Sequence, residues 1–212
     1  MAPRKTIGKD DEITIFYEYG LHIPTRKIVV ESVEVDMERG ESGVDSRMWS
    51  RLEKGLSILE KWPPLSEQDN TITIVMNNPG GDLYHMFAMY DRIRASPCTI
   101  AIEASGYVMS AASIILQAAD LRRMHEHATM MIHHGSDGFT GHSKDFQSAA
   151  KENARLEKIL YDIYLERIRQ KNPKFSLKQL KETMKFDRYL SAGEAVRLGL
   201  VDEIIPHTPM GS

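Results

Sequence analysis

Two turns rich in helix- and strand-breaking residues constrain this chain more than any other feature. The β-branched run Thr71-Ile72-Thr73-Ile74-Val75-Met76 stops at Asn77-Asn78-Pro79-Gly80-Gly81-Asp82. Leu83, Met86, Phe87, Tyr90 and Ile93 then fall on one face of a helix. Cys98 to Glu103 reads as a second strand, 104–109 as a turn built on Ser105-Gly106, and Ser110 to Ala119 as an apolar, largely buried helix. A strand feeding a helix through a short breaker, twice in succession, predicts an α/β fold. In such folds ligands lie at the carboxyl ends of the strands, where these two turns meet.

The rest of the chain continues the alternation. Ile28-Val29-Val30 and Val33-Glu34-Val35 place a strand within 26–36, and 38–44 reads as a loop. Met48, Leu52, Leu56 and Leu59 predict a helix capped by Asp45 or Ser46 and ended at Pro63-Pro64. Thr129 to His133 is a short strand, 135–142 a glycine-containing loop, and 143–170 the longest helix, broken by Pro173. Ser176 caps a short helix through Met184. Ser191 and Glu194 form a capping box whose helix ends at Gly199, and 201–205 is a last strand. The organisation expected is a flexible N-terminal segment over 1–25, where no periodicity stands out, a single domain over 26–206, and a loose tail over 207–212.

Composition narrows the function classes. A net charge of -3, with both signs mixed along the chain, argues against a nucleic-acid binder. No apolar run reaches the ~18 residues of a membrane span, and the first residues carry no apolar signal core, so a cytoplasmic location is expected. The single cysteine, Cys98, forms no intrachain disulfide and reads as a small buried hydrophobe.

The residues able to carry chemistry are ambiguous one at a time. Gly80-Gly81 makes a tight turn, or lets backbone N–H groups approach a negative oxygen. Ser110 is a good helix N-cap, or a nucleophile at a helix start. The surrounding Gly106-Tyr107-Val108-Met109-Ser110-Ala111-Ala112 is not the G-x-S-x-G elbow of α/β-hydrolases. His133 and His134 end a strand, and alternation points them to opposite faces. With His125 and His127 they suggest a metal, but H-E-x-x-H spacing and cysteine partners are missing, so no metal or cofactor is expected. Asp187 reads as a surface partner of Arg188, and Asp137, Asp145 and Asp202 are equally available to orient a histidine. Together these groups are what acyl transfer requires: a serine, a histidine base, a carboxylate and paired backbone donors.

The same strings resemble a known family, the proteolytic subunit of the Clp protease, ClpP. They are Asn77-Asn78-Pro79-Gly80-Gly81, Gly106 to Ser110, Met131-Ile132-His133, Asp187-Arg188-Tyr189-Leu190-Ser191-Ala192, Glu194-Ala195 and Gly199-Leu200-Val201-Asp202, in the family's order over about 70–206. The resemblance implies a ClpP/crotonase-like fold of repeated ββα units with a protruding handle over about 135–171. It implies Ser110 as nucleophile, His133 as general base, Asp187 as the carboxylate that orients it, and the N–H groups of Gly81 and Ala111 as the oxyanion hole. It further implies a serine endopeptidase acting on unfolded polypeptides inside a homo-oligomer of stacked heptameric rings, fed by an AAA+ unfoldase. No bound cofactor, nucleic acid or membrane is implied.

Several positions depart from the family's pattern. Asn78 replaces serine, Tyr107-Val108-Met109 replace Gln-Ala-Ala, Ala111-Ala112 replace Met-Gly, and His134 replaces glutamine. The handle loop lacks the usual proline, and the first 45 residues match poorly. A divergent, phage-type member fits this pattern, with a job that is either general degradation or processing of one partner. Two rival readings are a catalytically silent ring subunit and a crotonase-type acyl-CoA hydratase or isomerase, which relies on glutamates. A signal-peptide peptidase relative would need a lysine base and a membrane anchor.

Overall fold

Pairing of strands brings the ends of three of them side by side, and the rest of the fold serves that arrangement. The protein is described here from a computed structural model, over residues 7–30, 43–66, 68–135 and 143–206. In chain order the elements are α1 (Lys9–Tyr19), β1 (Leu21–His22), β2 (Lys27–Val30), α2 (Ser46–Leu59), β3 (Ile72–Asn78), α3 (Leu83–Arg94), β4 (Ile100–Met109), α4 (Ala111–Gln117), β5 (Leu121–His125), β6 (Thr129–Ile132), α5 (Ser143–Lys171), α6 (Leu177–Thr183), β7 (Arg188–Ser191), α7 (Ala192–Leu198) and β8 (Glu203–Ile205).

The sheet runs β1-β2-β3-β4-β5-β8. Its pairs are parallel from β2 onward, as the α/β reading predicts, while β1 is antiparallel to β2. Strand β4 departs from prediction. Where a turn is expected over 104–109, the strand continues to Met109, re-aimed at Gly106 (φ 62°). The first half of β4 pairs with β5 and the second half with β6, Met109 opposite Met131. Antiparallel β7 then joins β6, Ile132 opposite Arg188. One long strand thus serves two partners, and the second pairing carries the site.

Helix caps follow the sequence. Asp45 accepts from the N–H groups of Arg47 (2.9 Å) and Met48 (2.8 Å) at the start of α2. Capping boxes form at Ser176–Gln179 and Ser191–Glu194, and Gly199 closes α7 in the left-handed conformation. Met48, Leu52, Leu56 and Leu59 of α2 are buried with Ile72, Ile74 and Met76 of β3 in one core that also takes in α4.

Four elements lie where none is expected: α1 and β1 in the first 25 residues, β5 over Leu121–His125, and β7 over Arg188–Ser191. Helix α1 buries no residue, which is why it shows no apolar periodicity. The chain enters the core at Leu21 and Ile23 directly after it. The part of the strand expected within 26–36 that lies beyond Val30, most of the loop over 38–44, the handle loop beyond Gly135 and the tail over 207–212 lie outside the described residues.

Candidate active site

Sheet register assembles the site. The amide of Ser110 donates to the carbonyl of Met131 (2.9 Å), continuing the β4–β6 ladder by one residue. His133 follows the last residue of β6, and Asp187 precedes the first residue of β7. The antiparallel pair Ile132–Arg188 therefore makes His133 and Asp187 the next pair out. Serine, histidine and aspartate stand at three adjacent strand ends, although the chain separates them widely.

The side chains meet accordingly. His133 Nε2 lies 2.7 Å from Ser110 Oγ, and His133 Nδ1 lies 3.3 Å from Asp187 Oδ1. The histidine is largely buried, whereas the aspartate side chain is 55% exposed, so water competes for the carboxylate. Of the other candidate carboxylates, Asp202 binds Arg122, Asp145 sits in the first turn of α5, and Asp137 lies outside the described residues. His125 ends β5 and His127 lies in the exposed turn after it, remote in the fold from His133 at the end of β6. Among the described residues no three His, Cys, Asp or Glu side chains gather to hold a metal.

Ser110 does not act as a cap. It occupies the N-cap position of α4, yet its side chain bonds none of the helix N–H groups and turns to His133 instead. Its backbone sits at φ 51°, ψ −125°, a region that glycine favours and serine rarely enters. Strain of this kind collects at functional turns.

The glycine pair lies against this turn. A Cβ on Gly80 (φ 105°) would stand 2.7 Å from Ser110 Cβ and 2.8 Å from the Met109 carbonyl oxygen. A Cβ on Gly81 (φ 146°) would stand 2.5 Å from Val44 N. Val44 bridges to this turn through Gly80 O (2.6 Å) and Asp82 N (2.9 Å), so the bridge leaves the Gly81 N–H unused. Ala111 is the first residue of α4, and its N–H has no intrahelical acceptor. Both donors thus lie in the turns that border Ser110.

Two asparagines shape the turns, a role that the sequence reading did not assign them. Asn78, fully buried, accepts from Gly80 N (2.8 Å). Asn77 accepts from Tyr107 N (3.1 Å) and packs against Gly106, where a Cβ would meet its Oδ1 at 2.8 Å. Beside the serine opens a pocket of about 420 Å³. Its wall includes Leu83, Ile114, Leu156 and Leu160, with Asn153 and His134 as polar members. His133 and His134 both border it, but only His133 reaches Ser110, since His134 turns to α5.

A mostly parallel sheet with a serine, a histidine and two backbone donors at its strand ends is the architecture of a serine-nucleophile hydrolase. Residues 41–208 match the family described as Clp protease. The chain is 32% identical over 167 residues to the ATP-dependent Clp protease proteolytic subunit of Deinococcus radiodurans, covering 78% of each chain. It is 31% identical over 195 residues to the ATP-dependent Clp protease proteolytic subunit 2 of Chlamydia trachomatis, covering 84% of this chain and 93% of the relative. A ClpP1 mutant from Listeria monocytogenes shares the fold, with a TM-score of 0.70 at 24% identity over 87% of this chain and 94% of its own. The chain belongs to the Clp protease family, and it is a serine endopeptidase rather than an acyl-CoA hydratase.

Proposed function

We propose that this endopeptidase works through Ser110 as nucleophile, His133 as general base and Asp187 as the carboxylate that holds the base. His133 Nε2 takes the Oγ proton as the serine attacks the peptide carbonyl, and returns it to the leaving amine. The negative oxygen of the tetrahedral intermediate faces the N–H groups of Gly81 and Ala111. Water then releases the acyl group by the same route. The observation that carries this reading is the 2.7 Å contact between His133 Nε2 and a serine that declines to cap its own helix.

An extended polypeptide adds to the site mainly through its backbone, which makes side-chain tolerance broad. Leu83, Ile114, Leu156 and Leu160 favour an apolar residue before the scissile bond. The relatives' description as ATP-dependent proteolytic subunits supports a homo-oligomer, which we take to be stacked heptameric rings fed with unfolded chains by an AAA+ unfoldase. No described helix is long and apolar enough to cross a membrane, and we place the protein in the cytoplasm.

Intact-mass spectrometry after treatment with a fluorophosphonate tests the assignment. One adduct per chain is expected for the wild type and none for Ser110→Ala. An adduct retained in the variant, or a well-assembled wild type that takes none, would overturn it.

A further inference from the structure

Helix α5 reaches both members of the catalytic pair through two tyrosines a turn apart. Tyr164 and Tyr161 are both buried, at 2% and 4% exposure. The Tyr164 hydroxyl lies 2.6 Å from Ser113 Oγ. Ser113 gives its own hydroxyl proton to the carbonyl of Ser110 (2.6 Å), and its N–H donates to the same oxygen (2.9 Å). Tyr164 is therefore the donor to Ser113. Burial pushes its phenol well above the usual tyrosine range, so that proton stays in place. The nucleophile's own carbonyl is thus tied to α5 through one intermediate side chain.

The base is tied to the same helix. His133 stands one residue beyond Ile132, the last paired residue of β6. The next residue, His134, places Nδ1 2.5 Å from the Tyr161 hydroxyl and 3.1 Å from Glu157 Oε1. Tyr161 donates to Glu157 Oε1 (2.5 Å), so the imidazole supplies an Nδ1–H to the phenol oxygen. Burial, then the bond to Glu157, push the Tyr161 phenol up, and it too remains a donor. Glutamate, tyrosine and histidine close a triangle of hydrogen bonds at the turn that carries the base.

We propose that Tyr161 and Tyr164 are positioning residues: together they set the Ser110–His133 distance from one rigid helix, Tyr164 through Ser113 and Tyr161 through His134. The inference rests on the reading of Ser110 and His133 as nucleophile and base. Small displacements of reacting groups cost rate steeply, so losing one hydroxyl is expected to slow Ser110 about tenfold.

The test is the rate of fluorophosphonate labelling, with kcat and KM for a short peptide, in the assembled full-length protein. Tyr161→Phe keeps the ring and its packing. It should label about tenfold more slowly and lose a similar factor in kcat, with KM within about twofold and an unchanged melting temperature. Glu157→Leu should match it, while Glu157→Gln, which keeps an acceptor for the phenol, should stay close to wild type. The Tyr161→Phe/Glu157→Leu double variant should lose less than the product of the two single losses, since both changes act on the same triangle. Tyr164→Phe should also slow labelling. If it unfolds the protein, the Tyr161 and Glu157 variants decide alone. Wild-type labelling in all folded variants, or a change confined to KM, overturns the positioning role and leaves the peptidase reading intact. A wild type that takes no label overturns both.

Discussion

The backbone at Ser110 makes a prediction that separates strain from chemistry. At φ 51°, ψ −125°, a residue with a Cβ is held where a glycine would rest without penalty. A non-glycine residue in such a region costs about 1–3 kcal/mol. Ser110→Ala keeps the Cβ, and with it the strain. Ser110→Gly removes both. Each variant loses the same hydroxyl and the same 2.7 Å contact with His133, so that loss cancels between them. Glycine returns about 0.5–1 kcal/mol through its freer unfolded chain. From the middle of each range, the net expectation is a glycine variant more stable than the alanine variant by about 1 kcal/mol, the reverse of the usual order. For a chain of this size that is a shift of about 2–4 °C in melting temperature. Calorimetry on both variants at one protein concentration, with assembly checked by sedimentation, reads it directly. An alanine variant more stable than the glycine variant by about 0.5–1 kcal/mol, the usual order, would show that the turn stores no strain, and that the serine's conformation costs the fold nothing.

Three further outcomes follow from the geometry. Asp187→Asn should lower peptide hydrolysis by about 10²- to 10⁴-fold, toward the smaller value because the carboxylate is half exposed and 3.3 Å from His133; an unchanged rate would move the role to another carboxylate, Asp137 first. Gly80→Ala should abolish labelling with little change in circular dichroism, because its Cβ would lie 2.7 Å from Ser110 Cβ and 2.8 Å from the Met109 carbonyl; normal labelling would show that the two turns yield freely. At Asp202, burial pushes the carboxyl up, but the bonds and charge of Arg122 outweigh it and hold the group below its ordinary range. A lowered folded value stabilises above the unfolded pKa of about 3.9, and that contribution is lost as pH falls through the folded value. Asp202→Asn should therefore flatten the acid limb of stability below about pH 4 and cost about 3 kcal/mol at neutral pH by stranding the buried Arg122; denaturant unfolding across pH, with an unchanged acid limb, would refute it.

Much of the fold was legible where one stretch of sequence carries its own reason for a structure. The α2 helix shows a clean stripe of Met48, Leu52, Leu56 and Leu59 with Asp45 ahead of it, and all four side chains are buried. Elements whose reason lies elsewhere in the chain were not legible. Strand β5 contains Arg122 and Arg123, and this charged pair gives no apolar strand signal. Arg122 is nevertheless buried, because Asp202, the Gln117 side chain and the carbonyl of Gly199 satisfy its guanidinium across the fold. The turn expected at Gly106 is a strand for a related reason. The Asn77 side chain accepts from the next amide, and β6 supplies the second half of β4 with a partner.

The site divides along the same line. Gly81, Ser110 and Ala111 lie in turns that the local sequence marks, but a tight turn and a helix cap account for them as readily as chemistry does. Asp187 has no such mark: from the residues alone it competed with Asp137, Asp145 and Asp202, and only its family resemblance selected it. What brings Asp187 beside His133 in the structure is register. With Ile132 opposite Arg188, an antiparallel β7 sets position 187 beside His133. A slip of one residue would turn the strand's side chains to the other face and remove the carboxylate. What fixes that register is the whole β6–β7 pair, including Leu190, buried opposite Met130. A polar residue at Leu190 should then cost activity through loss of the Asp187–His133 pair before it costs folding. Asp187 is thus a property of strand pairing more than of its own sequence neighbourhood, which is why no reading of Lys185-Phe186-Asp187-Arg188 in isolation finds it.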